Sequence, residues 1–236
     1  MNAGGPTIGW HKAAARLAAG LLPLALFLTV LRLILSSVFV QLAYRVPGFP
    51  DDSYGFSVED RLHWAELSRS YLLNDAGIAY LGDLTFPDGD ALFNARELQH
   101  MEDVKNLAQF AVGLWLGAGA LVLILIVGLM AGGRTDLVAF AIHWGGRATL
   151  LLIGALGLLA LFAYPLVFVG FHRIFFEGDS WLFLYSDTLI RLFPERFWEQ
   201  VFAVLIGTTI LLGSGAWWLG RRLVAGNAAV VSTPKP

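Results

Sequence analysis

Four long apolar runs dominate the pattern of hydrophobic and polar positions along this chain. They cover residues 17–40, 107–130, 148–171 and 201–219. Each is close to or above the roughly 20 helical residues that cross the hydrocarbon core of a bilayer. A further apolar stretch at 137–144 is too short to span, and we interpret it as an interfacial piece of a short loop. The pattern predicts an all-α integral membrane protein with four transmembrane helices, forming one membrane domain over residues 1–236.

The composition agrees with a lipid environment. The chain is 57% hydrophobic and only 14% charged, whereas soluble domains carry about 25% charged residues. The net charge of -2 provides no basic surface for a polyanion, which argues against nucleic acid as a partner. Because the chain has no cysteine, disulfides, a thiolate nucleophile and a cysteine-ligated metal are excluded.

The charges between the runs predict how the helices are oriented. With the N-terminus in the cytoplasm, the inner segments carry one acidic residue, Asp136, and seven basic residues. The basic residues are Lys12, Arg16, Arg134, Arg147, Arg221, Arg222 and Lys235. The outer segments, 41–106 and 172–200, carry 8 basic and 17 acidic residues. The positive-inside rule therefore predicts that both termini are cytoplasmic and that the outer segments form an extracytoplasmic helical cap.

Local signals divide the first outer segment into helices and turns. Ser57 with Asp60, and Asn94 with Glu97, are capping-box pairs typical of helix starts. The Phe-Pro-Asp-Gly-Asp sequence at 86–90 is a turn signal. No strong helix breaker separates the second helix start from the second apolar run. We therefore expect that helix to extend outward from the membrane by about three turns.

Charged residues crowd onto this predicted extension. Glu97, His100 and Asp103 recur at a spacing of three and so share one helix face, with Arg96 four residues before the histidine. A carboxylate beside an imidazole fixes its tautomer and stabilises its charged form. A solvated face with ion pairs is the simplest interpretation. The pair Glu97-x-x-His100 also matches half of a di-iron pattern, but a second Glu-x-x-His is absent from the sequence.

A second histidine, His172, lies with Arg173 at the outer end of the third run. Its spacing to Glu177 is similar to the His-x4-Asp pair of glycerolipid acyltransferases, with a different acid. An imidazole at a helix end near carboxylates exchanges protons near neutral pH. The four-helix topology places His100 and His172 at the same height on the outer side, which predicts that they share one site.

Three blocks of sequence resemble the lipoprotein intramolecular transacylase family, Lit. They are Phe-Asn-Ala-Arg-Glu-Leu-Gln-His-Met-Glu-Asp-Val-Lys at 93–105, Phe-His-Arg-Ile-Phe-Phe at 171–176 and Asp-Thr-Leu-Ile-Arg-Leu-Phe-Pro at 187–194. The resemblance covers most of the chain, including the four-span layout and the long first outer segment. The tails, 1–16 and 220–236, and the inner loop carry no motif that matches.

The resemblance implies a specific reaction. Lit enzymes move an acyl chain from the second glycerol position (sn-2) of a diacylglyceryl-cysteine lipoprotein to the α-amine of the same cysteine, which gives an N-acyl lyso-form lipoprotein. It implies an acyltransferase of the bacterial plasma membrane with its active site on the extracytoplasmic side. The substrates would be lipid-anchored lipoproteins in the bilayer, with no cofactor and no metal. Carried onto this sequence, His100 and His172 become the catalytic pair.

This chemistry requires a base for the amine and an acid for the departing glycerol oxygen. The two histidines suit these roles in either order. Because ester and amine belong to one molecule, no acyl-enzyme is required, although Ser180 or Ser186 leaves a serine acyl-enzyme open. Positively charged hydrogen-bond donors would stabilise the tetrahedral oxyanion, and the candidates are Arg96, Arg173 and Arg191.

Further polar residues complete the predicted substrate-binding set. Glu97 and Asp103 share the helix face of His100. Arg32 lies within the first span, where a charge costs at least about 2.5–3.5 kcal/mol. It is therefore expected either to snorkel to the outer leaflet or to face the bundle interior as a substrate or structural contact.

Three other features of the spans and loops receive structural interpretations. The Gly113-x3-Gly117 pattern predicts a close approach between helices. Pro165, after Tyr164, predicts a kink in the third span that would open a lateral gate for lipid. His143 falls in the predicted inner loop and is expected at the surface.

Two alternative functions are compatible with the sequence. A metal-dependent membrane hydrolase would use His100, Glu97 and His172 as ligands. A non-catalytic membrane scaffold or sensor would need neither histidine.

Overall fold

A computed structural model describes the backbone of residues 6–232 and the side chains of residues 9–226. The described residues form eight helices and one isolated bridge, between Thr85 and Ala91. The helices are α1 (Pro6–Ile34), α2 (Ser37–Ala43), α3 (Val58–Leu73), α4 (Ala79–Gly82), α5 (Ala95–Ala131), α6 (Thr135–Phe175), α7 (Thr188–Leu192) and α8 (Glu195–Ser232). The all-α prediction is confirmed for this part of the chain. Lys235, counted above among the inner cations, lies outside the described residues.

Four of these helices are long and apolar enough to cross a membrane: α1, α5, α6 and α8. Many of their large apolar side chains are exposed. Leu123, Leu161, Phe162 and Leu211 expose between 63% and 81% of their surface. Helices that are apolar on their exposed faces are stable only where hydrocarbon covers them. The chain is therefore a membrane protein with four apolar helices.

Both predicted capping boxes are confirmed. At the start of α3, Ser57 and Asp60 exchange hydrogen bonds between side chain and backbone. At the start of α5, Asn94 Oδ1 accepts from the Glu97 backbone N–H at 3.1 Å, and Glu97 Oε2 accepts from the Asn94 N–H at 2.8 Å. α5 then continues without a break into the second apolar run, as predicted. The predicted turn before it is also confirmed, with Gly89 at a φ of +93° that favours glycine.

The predicted loop piece at 137–144 is wrong. These residues are helical and belong to the first turns of α6, which begins at Thr135. They bury Val138 and Ala141 in a core with α1 and α5, so tertiary packing supports a stretch that is too short to span by itself. His143 consequently lies in this helix and is half-buried, not in a surface loop.

Two of the long apolar runs are interrupted in the structure. The first run continues to Val40, but α1 ends at Ile34 and Ser36 caps α2 by accepting a hydrogen bond from the Phe39 N–H. The predicted kink in α6 is confirmed at Ala163, whose φ of -142° and ψ of 41° are not helical. This residue is two positions before Pro165, whose ring removes a helical hydrogen bond.

The described residues form two compact units. The first unit contains the described residues up to Val30, the segment Gly113–Leu158 and the described residues from Leu205. Its core holds mainly small side chains, which allow helices to pack closely. The core residues are Ala14, Ala15, Ala18, Leu125, Leu129, Val138 and Ala141.

Glycines bring α6 and α8 together within this first unit. A Cβ at Gly146 would overlap the backbone nitrogen of Trp217, and one at Gly220 would overlap the backbone of α6. In contrast, a Cβ at Gly113 or Gly117 would meet no neighbouring atom within 4 Å among the described residues. The prediction that Gly113 and Gly117 permit a close helix approach is therefore wrong. The close approach uses other glycines.

The second unit contains Leu31–Val112 and Leu159–Val204. Its core is formed by Tyr71, Leu81, Leu92, Phe93, Met101, Leu189 and Leu192. Arg61 on α3 is only 2% exposed, and it donates hydrogen bonds to the backbone oxygens of Arg191, at 2.9 Å, and Pro50, at 2.7 Å. These bonds fasten α3 to the C-terminal end of α7. Every candidate site residue named above lies in this unit.

Candidate active site

The two histidines predicted to share a site face each other in the second unit. His100 lies in the second turn of α5, and His172 lies in the last turn of α6. Their ring centroids are 6.2 Å apart and their planes differ by 18°. Both side chains are half-buried. The rings are nearly parallel, and their separation lies within the range of aromatic pair contacts.

Aromatic side chains surround the histidine pair. Phe176, which is 6% exposed, contacts both imidazoles, with centroid distances of 4.8 Å to His100 and 5.4 Å to His172. Phe183 lies 5.3 Å from His100, and Trp181 lies 4.9 Å from His172. Such rings remove water from around the imidazoles and restrict their orientation.

One hydrogen bond fixes the tautomer of His172. Its Nδ1 lies 2.7 Å from the carbonyl oxygen of Phe168, one helical turn earlier. A carbonyl oxygen only accepts hydrogen bonds, so Nδ1–H is the donor. The lone pair of the neutral ring is then on Nε2, which is the nitrogen that can take up a proton. The Nδ1 atom of His100 is buried and has no hydrogen-bond partner among the described residues.

Glu97 precedes His100 by one turn and is 1% exposed. Its two oxygens accept hydrogen bonds from backbone amides, Oε2 from Asn94 and Oε1 from Leu189 at 2.7 Å. Oε2 therefore caps the start of α5, and Oε1 joins that start to the first turn of α7. The structure places Glu97 as a support for the histidine-bearing helix.

Asp187, the residue that precedes α7, makes further contacts with the start of α5. Its carboxylate accepts from Asn94 Nδ2 at 3.2 Å and from Arg96 Nη2 at 3.4 Å. The Arg96 guanidinium also lies 6.0 Å from the ring of Phe183, which contacts His100. Arg96 is half-exposed, so it keeps donors available near the pair.

Arg191 is engaged elsewhere in the unit. Its guanidinium forms a two-pronged ion pair with Asp52 at 3.1 and 3.0 Å, and it lies 3.6 Å from the ring centroid of Phe56. Burial alone would raise the pKa of the Asp52 carboxyl, but the hydrogen bonds and positive charge of Arg191, with backbone N–H bonds from Phe56 and Tyr54, hold that pKa below its usual value. The structure thus places Arg191 in a buried ion pair that fastens the loop before α3 to α7.

The remaining predicted residues lie around this arrangement. Arg173 is exposed next to His172, in the last turn of α6. Asp103 is half-buried and accepts a hydrogen bond from the Gln99 side chain at 3.4 Å. Arg32 is half-buried near the end of α1.

Sequence reasoning missed several residues that build the site. Asp187 and Asn94 lie inside the family-like blocks, but their pairing is visible only in the folded chain. Trp181 and Phe183 lie in a segment that carries no local signal apart from its aromatic content.

A metal centre has no set of ligands in the described part of the chain. Within it, no three His, Cys, Asp or Glu side chains meet in a way that could hold an ion. Glu97, one of the three ligands considered for a metal-dependent hydrolase, uses both oxygens on backbone amides.

Comparisons with known proteins agree with this architecture. A family model described as lipoprotein intramolecular transacylase Lit matches residues 17–198. An uncharacterized protein of Aquifex aeolicus (strain VF5) is 31% identical over 204 residues, which is 84% of this chain and 90% of that protein.

Solved structures of the membrane-integral lipoprotein intramolecular transacylase Lit of Bacillus cereus share the fold. One covers 94% of this chain and 99% of its own, with a TM-score of 0.67 at 16% identity. A variant of that protein with a histidine replaced by arginine gives a TM-score of 0.66. Since the family model covers more than half of the chain, this protein belongs to the lipoprotein intramolecular transacylase family, Lit, and is a membrane acyltransferase.

Proposed function

We propose that this protein transfers the sn-2 acyl chain of a diacylglyceryl-cysteine lipoprotein to the α-amine of the same cysteine. The observation that carries the proposal is the facing pair of His100 and His172 inside an aromatic shell. The product is an N-acyl lipoprotein with a free hydroxyl at the second glycerol position. Donor and acceptor belong to one molecule, so the site has mainly to fold the substrate into an attack geometry.

The proposed step is a direct acyl transfer. The neutral amine nitrogen attacks the ester carbonyl, a C–N bond forms, and the C–O bond to glycerol breaks. A proton leaves the nitrogen, passes through the histidine pair and reaches the glycerol oxygen. The enzyme therefore ends in its starting protonation state. No covalent acyl-enzyme takes part.

We assign the base to His172. Its Nδ1–H is held by the Phe168 carbonyl, which leaves Nε2 as its proton acceptor. The proton taken up by His172 then passes to His100, which delivers it to the departing glycerol oxygen, so both histidines return to their starting states. The half-exposed Arg96 and the exposed Arg173 are the proposed donors to the tetrahedral oxyanion.

The other predicted residues receive supporting roles in this proposal. Glu97 positions the first turns of α5, and Arg191 positions α7 through Asp52. Asp103 and Arg32 are proposed substrate contacts.

A lipid substrate with two chains has to reach the pair from the membrane. We propose that it enters sideways near the kink of α6, from the outer leaflet of the bacterial plasma membrane, with both chain termini in the cytoplasm. The charge distribution of the loops supports this orientation. The exposed apolar surface of α6 around Phe162 and Leu161 supports contact with acyl chains.

The test is an assay of purified full-length protein in lipid vesicles with a synthetic diacylglyceryl lipopeptide that has a free N-terminus. Intramolecular transfer leaves the mass unchanged, so the product is treated with mild alkali, which removes ester-linked chains and spares an amide. Wild type should give a peptide that retains one acyl chain. His100→Ala and His172→Ala should each reduce that product by at least about 100-fold.

His63→Ala is the matched control, because His63 is an exposed histidine of the same unit that contacts Trp64. It should keep wild-type activity. If folded wild-type protein leaves every chain alkali-labile, the transacylase proposal is wrong. Full activity in either variant would overturn the histidine mechanism alone.

A further inference from the structure

One loop supplies aromatic contacts to both histidines. We call the segment 177–187, between α6 and α7, the aromatic loop. Its Trp181 ring lies 4.9 Å from the His172 ring at an angle of 35°, and its Phe183 ring lies 5.3 Å from the His100 ring. A displacement of this loop would therefore remove an aromatic contact from each imidazole.

The loop is fixed at its start by its own backbone. Gly178 has a φ of +60°, a left-handed conformation that favours glycine. The Nε1–H of Trp181 donates to the carbonyl oxygen of Gly178 at 3.2 Å. This bond occupies the polar atom of the indole and directs the rest of the ring at His172.

The loop is fixed at its end by Asp187. Its Oδ2 accepts from the Leu184 backbone N–H at 2.8 Å, directly after Phe183. The same carboxylate accepts from Asn94 and Arg96, at the start of the helix that bears His100. Asp187 therefore connects the aromatic loop to the start of α5 by hydrogen bonds. Its side chain is only 11% exposed.

Water is the competing acceptor in this reaction. If water attacks the ester carbonyl, the C–O bond to glycerol breaks in the same way, but the products are a free fatty acid and a lyso-lipoprotein with an unmodified amine. A base that activates an amine also activates water. Excluding water from the site prevents this side reaction.

We infer that the aromatic loop, held by Asp187, is what directs the acyl chain to the amine instead of to water. This inference rests on the proposed function and deepens it. Asp187 is a positioning residue that acts through Phe183 and Trp181, which shield the histidines. Loosening the loop should lower the rate of transfer and also change the ratio of transfer to hydrolysis, which a general loss of folded enzyme would not change.

The experiment measures both products of the same reaction. Full-length protein in vesicles is given the diacylglyceryl lipopeptide, and the amide-linked peptide and the released fatty acid are quantified by mass spectrometry. Asp187→Ala should lower transfer by about tenfold and raise the fraction of turnovers that end in free fatty acid several-fold. Asp187→Asn keeps an oxygen that can accept from Leu184, so its ratio should lie close to that of wild type.

Trp181→Ala and Trp181→Phe test the shielding without touching the carboxylate. The alanine variant should shift the ratio toward hydrolysis, and the phenylalanine variant should restore it. Tyr185→Ala is the control for losing a ring from the same loop, because Tyr185 is 84% exposed. Asp179→Ala is the control for losing a carboxylate from that loop, since Asp179 is also exposed.

The outcomes separate the inference from the proposed function. If wild type transfers acyl chains and both alanine variants keep the wild-type ratio, the inference is wrong and the proposed function stands. If wild type gives no amide product, the proposed function itself fails. If Asp187→Ala does not fold, an unchanged ratio in Trp181→Ala still overturns the inference.

Discussion

Asp52 and Arg191 show how single residues stabilise the unit that carries the site. Their side chains are 2% and 9% exposed, and the pair joins positions 139 apart in the sequence. Nε and Nη2 of the Arg191 guanidinium each donate to one oxygen of Asp52, and the ring of Phe56 covers the face of the guanidinium. A buried pair of this kind contributes little relative to an apolar replacement, but removing one partner leaves the other charge buried and unpaired.

Asp52→Asn should therefore destabilise the protein by about 3 kcal/mol at neutral pH. The pKa of the Asp52 carboxyl is lower in the folded protein than its usual value, because the bonds and charge of Arg191 outweigh burial. The stability from this ionised carboxyl is fully present above a pH of about 4 and is lost as the pH falls through the folded-state pKa. Thermal unfolding measures this loss of stability when it is followed between pH 3 and 7, which is about the range where the carboxyl titrates.

The difference in Tm between wild type and Asp52→Asn should be largest near neutral pH and should narrow in acid. Asp51→Asn is the control, because this neighbouring carboxylate is exposed. A difference in Tm that stays constant down to the lowest pH would contradict the assigned cause.

Residues also differ in how far the sequence predicts their partners. Ser57 with Asp60 was predictable because a capping box is a local pattern of four residues. The bonds from Asp187 to Asn94 and Arg96 were not predictable, because they join residues 93 and 91 positions apart and no local pattern specifies such pairs. The sequence could indicate the two histidines and not the loop that covers them.

At the scale of elements, the kink in α6 decides where its last turn lies. Ala163 leaves the helical conformation, and His172 follows nine residues later on the final turns. The direction of these turns sets the position of the imidazole relative to His100. Pro165 therefore contributes to the geometry of the histidine pair through the backbone of α6.

Pro165→Ala should restore a backbone donor to α6 and straighten it. We expect transfer to fall by about tenfold, because a displacement of about 1 Å in reacting groups is costly, while the Tm stays equal or rises. Pro23→Ala in α1 is the control, since Pro23 is also inside a helix and lies in the other unit. Wild-type activity in Pro165→Ala would show that the kink does not position His172.

The glycines of the long helices give a second prediction at this scale. Gly146→Ala should destabilise the protein by about 2 kcal/mol, because the new Cβ overlaps backbone and the helices must move apart. Gly113→Ala is the matched change in α5, where a Cβ meets nothing within 4 Å in the part of the chain that the structure describes. It should be neutral or stabilising by up to about 1 kcal/mol. Equal Tm values for the two variants would contradict the assigned packing.

The glycine spacing shows why this level of structure is only partly predictable. A small-x3-small pattern marks a helix face that permits close approach, but many faces carry such a pattern. Which face is used depends on how the helices pack, and here Gly146 and Gly220 are used while Gly113 and Gly117 are not. Helix length and hydropathy, in contrast, are additive properties of a segment, so the four long helices were predictable.

At the scale of the whole molecule, the charges of the loops predict which side of the membrane each loop occupies. The absence of native cysteine makes this directly measurable, because a single introduced cysteine is the only thiol. Asp88→Cys, in the turn before α5, should react with a membrane-impermeant maleimide in intact cells. Asp136→Cys, at the start of α6, should react only after permeabilisation, and the reverse pattern would mean that the orientation is inverted.

The hydrogen bond from the Leu189 backbone N–H to Glu97 has a consequence for how the protein folds during its synthesis. These residues are 92 positions apart, and at about 5–20 residues per second a ribosome needs roughly 5–20 s to synthesise the chain between them. During that interval the carboxylate of Glu97 lacks its second amide partner, and the loop that covers the histidines has not been made. In a nascent chain, His100 is therefore made well before these neighbours, and the contacts around the histidine pair are complete only once α7 has been synthesised and has bound α5.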